Sequence, residues 1–202
     1  MSLAYLLGKT SAKFLKLNIN IPLILVLSII PDIDIVVETV LNVPFHRGPT
    51  HSVIFAVLVF VPFFIFFSKR AVPYFLSLVS HSLLADFFIG GNILLLWPLS
   101  ESDFGATAYG FSLIRIIDPV NVSLELGLFI VALVIMLRYK DFLKFFKANY
   151  SNLLLVIPVL TVLLPTFTSY PLPVPNLLIF PHLFFLILFV VSGLFVIKKF
   201  LL

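Results

Sequence analysis

The sequence predicts an all-α membrane protein: a polytopic helical bundle of about six spans, with a broken third span and both termini cytoplasmic. Three observations carry that expectation. Of 202 residues, 61% are hydrophobic and 11% charged, with mean hydropathy +1.21, whereas a soluble domain holds about 45–50% apolar and about 25% charged residues. The apolar residues fall into runs close to the roughly 20 residues that cross a bilayer. The basic residues gather in alternate connections, the pattern of cytoplasmic loops. Together these exclude an ordinary soluble enzyme, a disordered tail and a free nucleic-acid-binding domain. The length suits one membrane domain, residues 1–202.

Lys9, Lys13 and Lys16 precede the apolar run Ile21–Ile30, in the manner of a signal peptide. No small-x-small cleavage site follows. Pro31-Asp32-Ile33-Asp34 comes next, so the run reads as an uncleaved first span, short or broken near Pro31. Further apolar runs cover about 51–67, 72–96, 121–137, 152–168 and 177–197. The third contains Gly90-Gly91 and is expected to break there, re-entering or running along the interface.

Starting inside, the inner segments carry Lys9, Lys13, Lys16, Lys69, Arg70, Arg138, Lys140, Lys144, Lys147, Lys198 and Lys199, which leaves only Arg47 and Arg115 of the 13 basic residues outside. The pI of 9.4 therefore reflects inner-face anchors, and no nucleic acid is expected as a partner. Arg138–Lys147 interleaves Phe142, Leu143, Phe145 and Phe146 with its charges and reads as an interfacial helix on anionic lipid. Residues 98–120 read as a small outer cap, and the proline-rich, uncharged residues 165–176 as an ordered turn without chemistry.

Acidic residues beside a bilayer are the informative feature, because a carboxylate at a helix centre costs ~2.5–3.5 kcal/mol on insertion scales. The orientation set by lysine and arginine alone brings Asp32, Asp34, His51, His81, Asp86 and Glu125 to one membrane face, the outer one. Adjacent carboxylates repel unless protonated or bridged by a cation. Imidazoles beside them make a divalent metal the economical explanation. The chain has no cysteine, so the ligands must be nitrogen and oxygen, which suits Zn first and Mn, Fe(II) or Mg as alternatives. Arg47, beside His46, could clamp an anionic oxygen such as a phosphate. Glu38, Glu101, Asp103 and Asp118 are expected to be solvated, and His182 to have no functional role.

These residues also carry a resemblance. Pro31-Asp32-Ile33-Asp34 and His46-Arg47-Gly48-Pro49-Thr50-His51-Ser52 resemble the PDID and HRGxTHS signatures of the YdjM-type membrane-bound metal-dependent hydrolases. Ser80-His81-Ser82-Leu83-Leu84-Ala85-Asp86 is similar to that family's SHxxxD segment, Leu96-Trp97-Pro98 to its LWP ending, and Asn121 with Glu125 to its Gly-Asn-x-x-Glu element. The likeness covers about residues 21–130, with additional helices in 131–202. It implies an inner-membrane hydrolase in which Asp and His bind a metal. Three departures stand out. Ile35 replaces a usual His, no His precedes His46, and His81 and Asp86 are five residues apart rather than four, so that Ser82 falls at the family's His position. On a regular helix five steps separate two side chains by about 140°, so His81 and Asp86 could share an ion only across a bulge.

The resulting expectation is a hydrolase in which metal-activated water attacks an ester or phosphoester of a lipid or other membrane-associated substrate. Asp32, His51 and Asp86 are the favoured ligands, joined by Asp34, His46 or His81. Asp34 or Glu125 would be the general base, and Arg47 would hold the anionic group. The alternatives are a transporter or ion-translocating protein using the same cluster, and a catalytically inactive membrane scaffold, for which the displaced His81 is the argument.

Overall fold

A computed structural model describes residues 1–41, 46–89, 92–147, 149–164 and 174–201. Eight α-helices, joined by 3-10 and π turns, make up the described chain, with two isolated β-bridges in the cap loop. The expected break at Gly90-Gly91 lies outside the described residues, as does most of the proline-rich 165–176 turn.

Helix α1 (Ser2–Phe14) is a packed element rather than a basic leader. Ala4, Gly8 and Ala12 recur every fourth residue and are buried together with Tyr5. Such a small-residue stripe lets membrane helices approach closely. A Cβ on Gly8 would lie 2.6 Å from Ile24 Cδ1 and 2.9 Å from Ser77 Oγ. Met1 and Lys13 consequently lie at opposite ends of α1: Met1 lines a cavity with Asp32, and Lys13 sits over the Tyr139 ring. The basic-residue pattern predicts both on the inner side, whereas α1 sets them at opposite ends. The apolar runs miss α1 because Lys9 and Lys13 interrupt its hydropathy.

Helix α2 (Ile21–Leu27) is held at its start by Asn20, whose side chain accepts from the Leu23 N–H and donates to Ser151 Oγ. It ends before a 3-10 turn at Ile30–Asp32, where Pro31 cannot continue an α-helical hydrogen-bond ladder. The chain resumes as α3 (Ile33–Leu41). The expected break near Pro31 is therefore present, and it sets Asp32 and Asp34 at a helix junction.

Helices α4 (Val53–Phe67) and α5 (Val72–Ser80) form a hairpin. Ser68, at φ 47°, turns the chain, and Phe75 packs on Phe60 and Phe64. Most large side chains of α4 point outward, with Phe66 79% and Ile65 70% exposed, as suits a helix facing lipid. Helix α6 (Pro119–Arg138), the short α7 (Val156–Pro158) and α8 (Asn176–Leu201) complete the bundle. Its core joins Tyr5, Leu25, Phe129, Met136, Phe145 and Phe189. Between 3-10 residue Asn152 and α8, Asn152 Nδ2 donates to Ser192 Oγ at 2.9 Å, the kind of polar contact that joins helices in lipid.

Among the described residues, three stretches are long and apolar enough to cross a membrane: Val53–Asp86, Pro119–Arg138 and Asn176–Lys199. The first of these contains the α4–α5 hairpin. Six spans were expected. The first expected run holds only the seven residues of α2, and the fifth is a mixture of 3-10, α and π turns over Tyr150–Leu163.

Asp141 marks the end of the bundle opposite Met1. The stretch Asp141–Phe146, expected to lie on the interface, is a 3-10 turn with Asp141 and Phe145 buried. Asp141 accepts from Tyr5 Oη at 2.9 Å and Lys9 Nζ at 2.6 Å, and pairs with Lys144 at 3.2 Å. This ties α1 to the turn after α6.

Candidate metal centre

Three local devices build the site. The first is the junction at Pro31, which projects Asp32 from a 3-10 turn and Asp34 from the first turn of α3. The second is the segment His46–Ser52. Arg47 takes a left-handed backbone (φ 65°), a conformation that costs a non-glycine residue about 1–2 kcal/mol. Neighbouring chain holds it there: the Arg47 carbonyl accepts from the Leu94 N–H, and the Leu95 carbonyl from the Val53 N–H. Ser52 caps α4 by accepting from the Phe55 N–H while donating to the Trp97 carbonyl. His51 is thus fixed in a 3-10 turn one residue before the cap.

The third device is a π-helical turn, His81–Asp86, that continues α5. Phe87 N–H donates to the Ser82 carbonyl, an i→i+5 bond of 3.1 Å. A π turn holds one more residue than an α turn, so residues five apart stack on one face. His81 Nε2 and Asp86 Oδ2 are accordingly 3.1 Å apart. The bulge absorbs the extra residue that the sequence comparison exposed, and Ser82 is buried away from the cluster.

Four side chains now alternate around one point. His81 Nε2 lies 3.1 Å from Asp32 Oδ1 and from Asp86 Oδ2, and His51 Nε2 lies 3.6 Å and 3.2 Å from the same two atoms. His51 Nε2 and Asp86 Oδ2 are fully buried yet have no aligned hydrogen-bond partner among the described residues. Asp32, His51 and His81 offer ligand atoms within 4.8 Å of one another, and the separations of 3.1–3.6 Å around the four side chains bracket the roughly 3.3–3.4 Å that a tetrahedral ion with bonds of about 2.0–2.1 Å sets between neighbouring donors. The donors are nitrogen and oxygen only, as a cysteine-free chain requires.

Asp34 stands behind this ring. It is fully buried. Its Oδ1 lies 2.9 Å from His46 Nδ1, and its Oδ2 accepts from the Arg47 N–H (3.0 Å) and Thr50 Oγ1 (2.8 Å) and lies 3.2 Å from His51 Nδ1. A carboxylate can only accept, so His51 Nδ1 carries a hydrogen and Nε2 is aimed at the ring. Asp34, His46 and His51 also form a second group close enough to hold an ion, beside Asp32, His51 and His81. Arg47 reaches Asp86 Oδ1 at 3.6 Å and donates to the Ile89 carbonyl at 3.4 Å.

The charges of this network are mutually adjusted. Burial pushes the Asp32 carboxyl up, but the neighbouring His81 and His51 imidazoles outweigh it and hold it at about 2. Burial likewise opposes ionisation of Asp34, yet its imidazole and hydroxyl donors hold it well below the usual range. Burial lowers the His51 pKa, whereas the nearby carboxylates of Asp32, Asp34 and Asp86 prevail and raise it to about 10.

A cavity of about 280 Å³ opens beside the ring, lined by Asp32, His46, Arg47, His81, Asp86 and Glu125, with Met1 and His182. Glu125 faces the cavity without an ion pair to the ring among the described residues. Glu38, expected to be solvated, accepts from the His46 N–H at 2.8 Å. Asp118 is on the outside, paired with Arg115 at 3.1 Å. Sequence reasoning missed Thr50 as a donor to Asp34 and Trp97 as the acceptor that anchors Ser52. Their place within the motifs was the available signal. It also set aside His182, whose position at the start of an apolar run carried no sign of the cavity.

The family model for the YdjM inner membrane protein matches residues 1–170. The chain therefore belongs to the YdjM inner membrane protein family. No curated protein and no solved structure matches it significantly.

Proposed function

We propose that this YdjM-family chain is a membrane-embedded, metal-dependent hydrolase of an ester or phosphoester in a membrane-associated substrate. Asp32, His51, His81 and Asp86 would hold the ion. The observation that carries this reading is their convergence, with two buried polar atoms, His51 Nε2 and Asp86 Oδ2, that have no aligned hydrogen bond among the described residues. A divalent ion at such a site, zinc first, supplies Lewis-acid polarisation and a lowered pKa for water. The chain's own residues do the rest. Asp34 keeps the His51 ring oriented, the carboxylate–histidine arrangement that tunes metal ligands. Arg47 presents its guanidinium at the cavity wall, where it can hold an anionic oxygen. Glu125, on the same wall and outside the ring, is the carboxylate placed to take or return a proton.

The π turn, which sets His81 and Asp86 on one face, supports the hydrolase reading over an inactive scaffold. The distribution of basic residues supports an extracytoplasmic site. Lys9, Lys13 and Lys144 gather around Tyr139 and Asp141 at the end of α1 opposite the cavity, and such residues favour the cytoplasmic side.

Metal analysis of the purified protein tests the proposal. We expect about one bound divalent ion in wild type and none in Asp32→Ala or His51→Ala. A metal-free wild type, or equal retention by the variants, overturns it.

A further inference from the structure

The polar cavity does not end at the metal ring. A second, largely apolar chamber of about 130 Å³ adjoins it and shares Met1, Ala85, Ile89, Glu125, Leu178 and His182 as boundary. Its own walls are Leu3 of α1, Leu84 of the π turn, Leu124, Leu128 and Phe129 of α6, and Phe185 of α8. Two of these elements, α6 and α8, are long and apolar enough to cross a membrane, so the chamber lies between candidate spans. His182 stands where the two chambers meet, and its buried Nδ1 has no hydrogen-bond partner among the described residues. An unmade hydrogen bond on a buried polar atom costs about 1–3 kcal/mol, which a ligand group at the boundary would recover. His182 and Phe185 lie beyond residues 1–170, the part matched by the family model.

We infer that the joined chambers bind one lipid with a phosphoester head, its head at the metal ring and Arg47 and one acyl chain in the Leu84–Leu128–Phe185 chamber. Arg47, which lines the polar chamber 3.6 Å from Asp86, together with the cation proposed for the ring, favours an anionic head. Charged side chains stop at the boundary: beyond Glu125 and His182 the second chamber's own walls carry none, which favours an amphiphile over a soluble phosphoester. Glu125 and His182 flank the boundary and serve the linkage between head and chain as hydrogen-bond partners. This inference rests on the hydrolase reading for its substrate class. Occupancy of the apolar chamber can nevertheless be read without turnover.

The test uses the full chain in lipid nanodiscs with a phosphatidic acid carrying a diazirine midway along one acyl chain. After photolysis, labelled residues are mapped by mass spectrometry. We expect labels concentrated on the buried Phe129 and Phe185 and on Leu128, and reduced at least several-fold in Leu128→Trp, which fills the chamber. We also expect a several-fold weaker signal from the diacylglycerol bearing the same chain. Labels spread evenly over outward residues such as Val134, Leu137 and Ile187, which are exposed, would show only annular lipid and overturn the inference. Equal labelling by the diacylglycerol, or labelling of the chamber unaltered in Leu128→Trp, would also overturn it. In Asp32→Ala we expect the ion to be lost and chamber labelling to weaken but remain above that of the diacylglycerol, because Arg47 still holds the head. Failure of the metal reading and failure of the lipid site are thereby distinguished.

Discussion

Buried carboxylates occur at both ends of α1, and they are treated in opposite ways. At the basic end, Asp141 meets Tyr5, Lys9 and Lys144. Its negative charge is answered by ammonium groups and a hydroxyl, and its oxygens are occupied. At the other end, Asp32 and Asp86 meet imidazoles, and atoms of His51 and Asp86 remain buried without aligned partners. The first arrangement is complete in itself and joins α1 to the turn after α6. The second is complete only with something at its centre. Counting buried charges would rank the two ends alike; asking whether each polar atom has a directed partner separates a strut from a candidate ligand set.

The contrast can be broken most strongly by truncating one member of each cluster. His81→Ala is expected to lower metal affinity at least about a thousandfold, on the order of 4 kcal/mol, measured by competition with a chelating dye. Asp141→Ala should leave metal content unchanged but cost about 3 kcal/mol of stability, because it strands Lys9 without its partner; thermal unfolding in detergent reads this. Loss of metal from the Asp141 variant would show that the two ends are not independent.

A smaller effect is expected one step behind the ring. Asp34→Asn keeps the shape of the side chain but weakens its grip on the His51 and His46 rings, and should reduce metal affinity about 10–100-fold. The pH dependence of uptake sharpens the same point. The metal-free His51 is held protonated, with its pKa raised to about 10, whereas a ligating imidazole nitrogen must be free of its proton. Uptake therefore releases a proton, and affinity should rise with pH up to about 10 and flatten above it. Calorimetry in buffers of different ionisation enthalpy measures the proton count; no proton release would contradict the pairing of His51 with its carboxylates. The smallest effect is expected from deleting Leu83. Shortening the π turn to an α turn leaves His81 and the aspartate on one face at the ordinary spacing of four, so metal affinity should change by less than about tenfold.

That last variant also marks the limit of what sequence alone can show. Residue types were legible: Asp32, His51 and Asp86 stand out because a carboxylate or imidazole among apolar runs demands a reason, and His46–Ser52 is a distinctive string. The convergence of four such groups was legible too, once lysine and arginine positions had aligned the spans. The His81–Asp86 geometry was not, because residues five apart diverge on a regular helix and nothing local announces a π turn. Helix α1 was hidden for a different reason. Its burial depends on a stripe of Ala4, Gly8 and Ala12, whose small side chains contribute little hydropathy and act by allowing close approach. Thr50 and Trp97 were hidden because their roles lie in hydrogen bonds to distant chain, a hydroxyl in one case and a carbonyl in the other.

The arrangement of ligands along the chain has a mechanical meaning. A protein without cysteine has no covalent cross-link, and its ring draws Asp32, His51 and the His81–Asp86 turn from three separate segments. An ion held by all of them acts as a reversible staple, closing the loop from Asp32 to His51 and the longer one from His51 to His81. Loop closure of this kind stabilises mainly by restricting the unfolded chain. Chelation should therefore loosen the intervening segments selectively, with amide exchange quickening around Arg47–Ser52 while the Asp141 end keeps its protection.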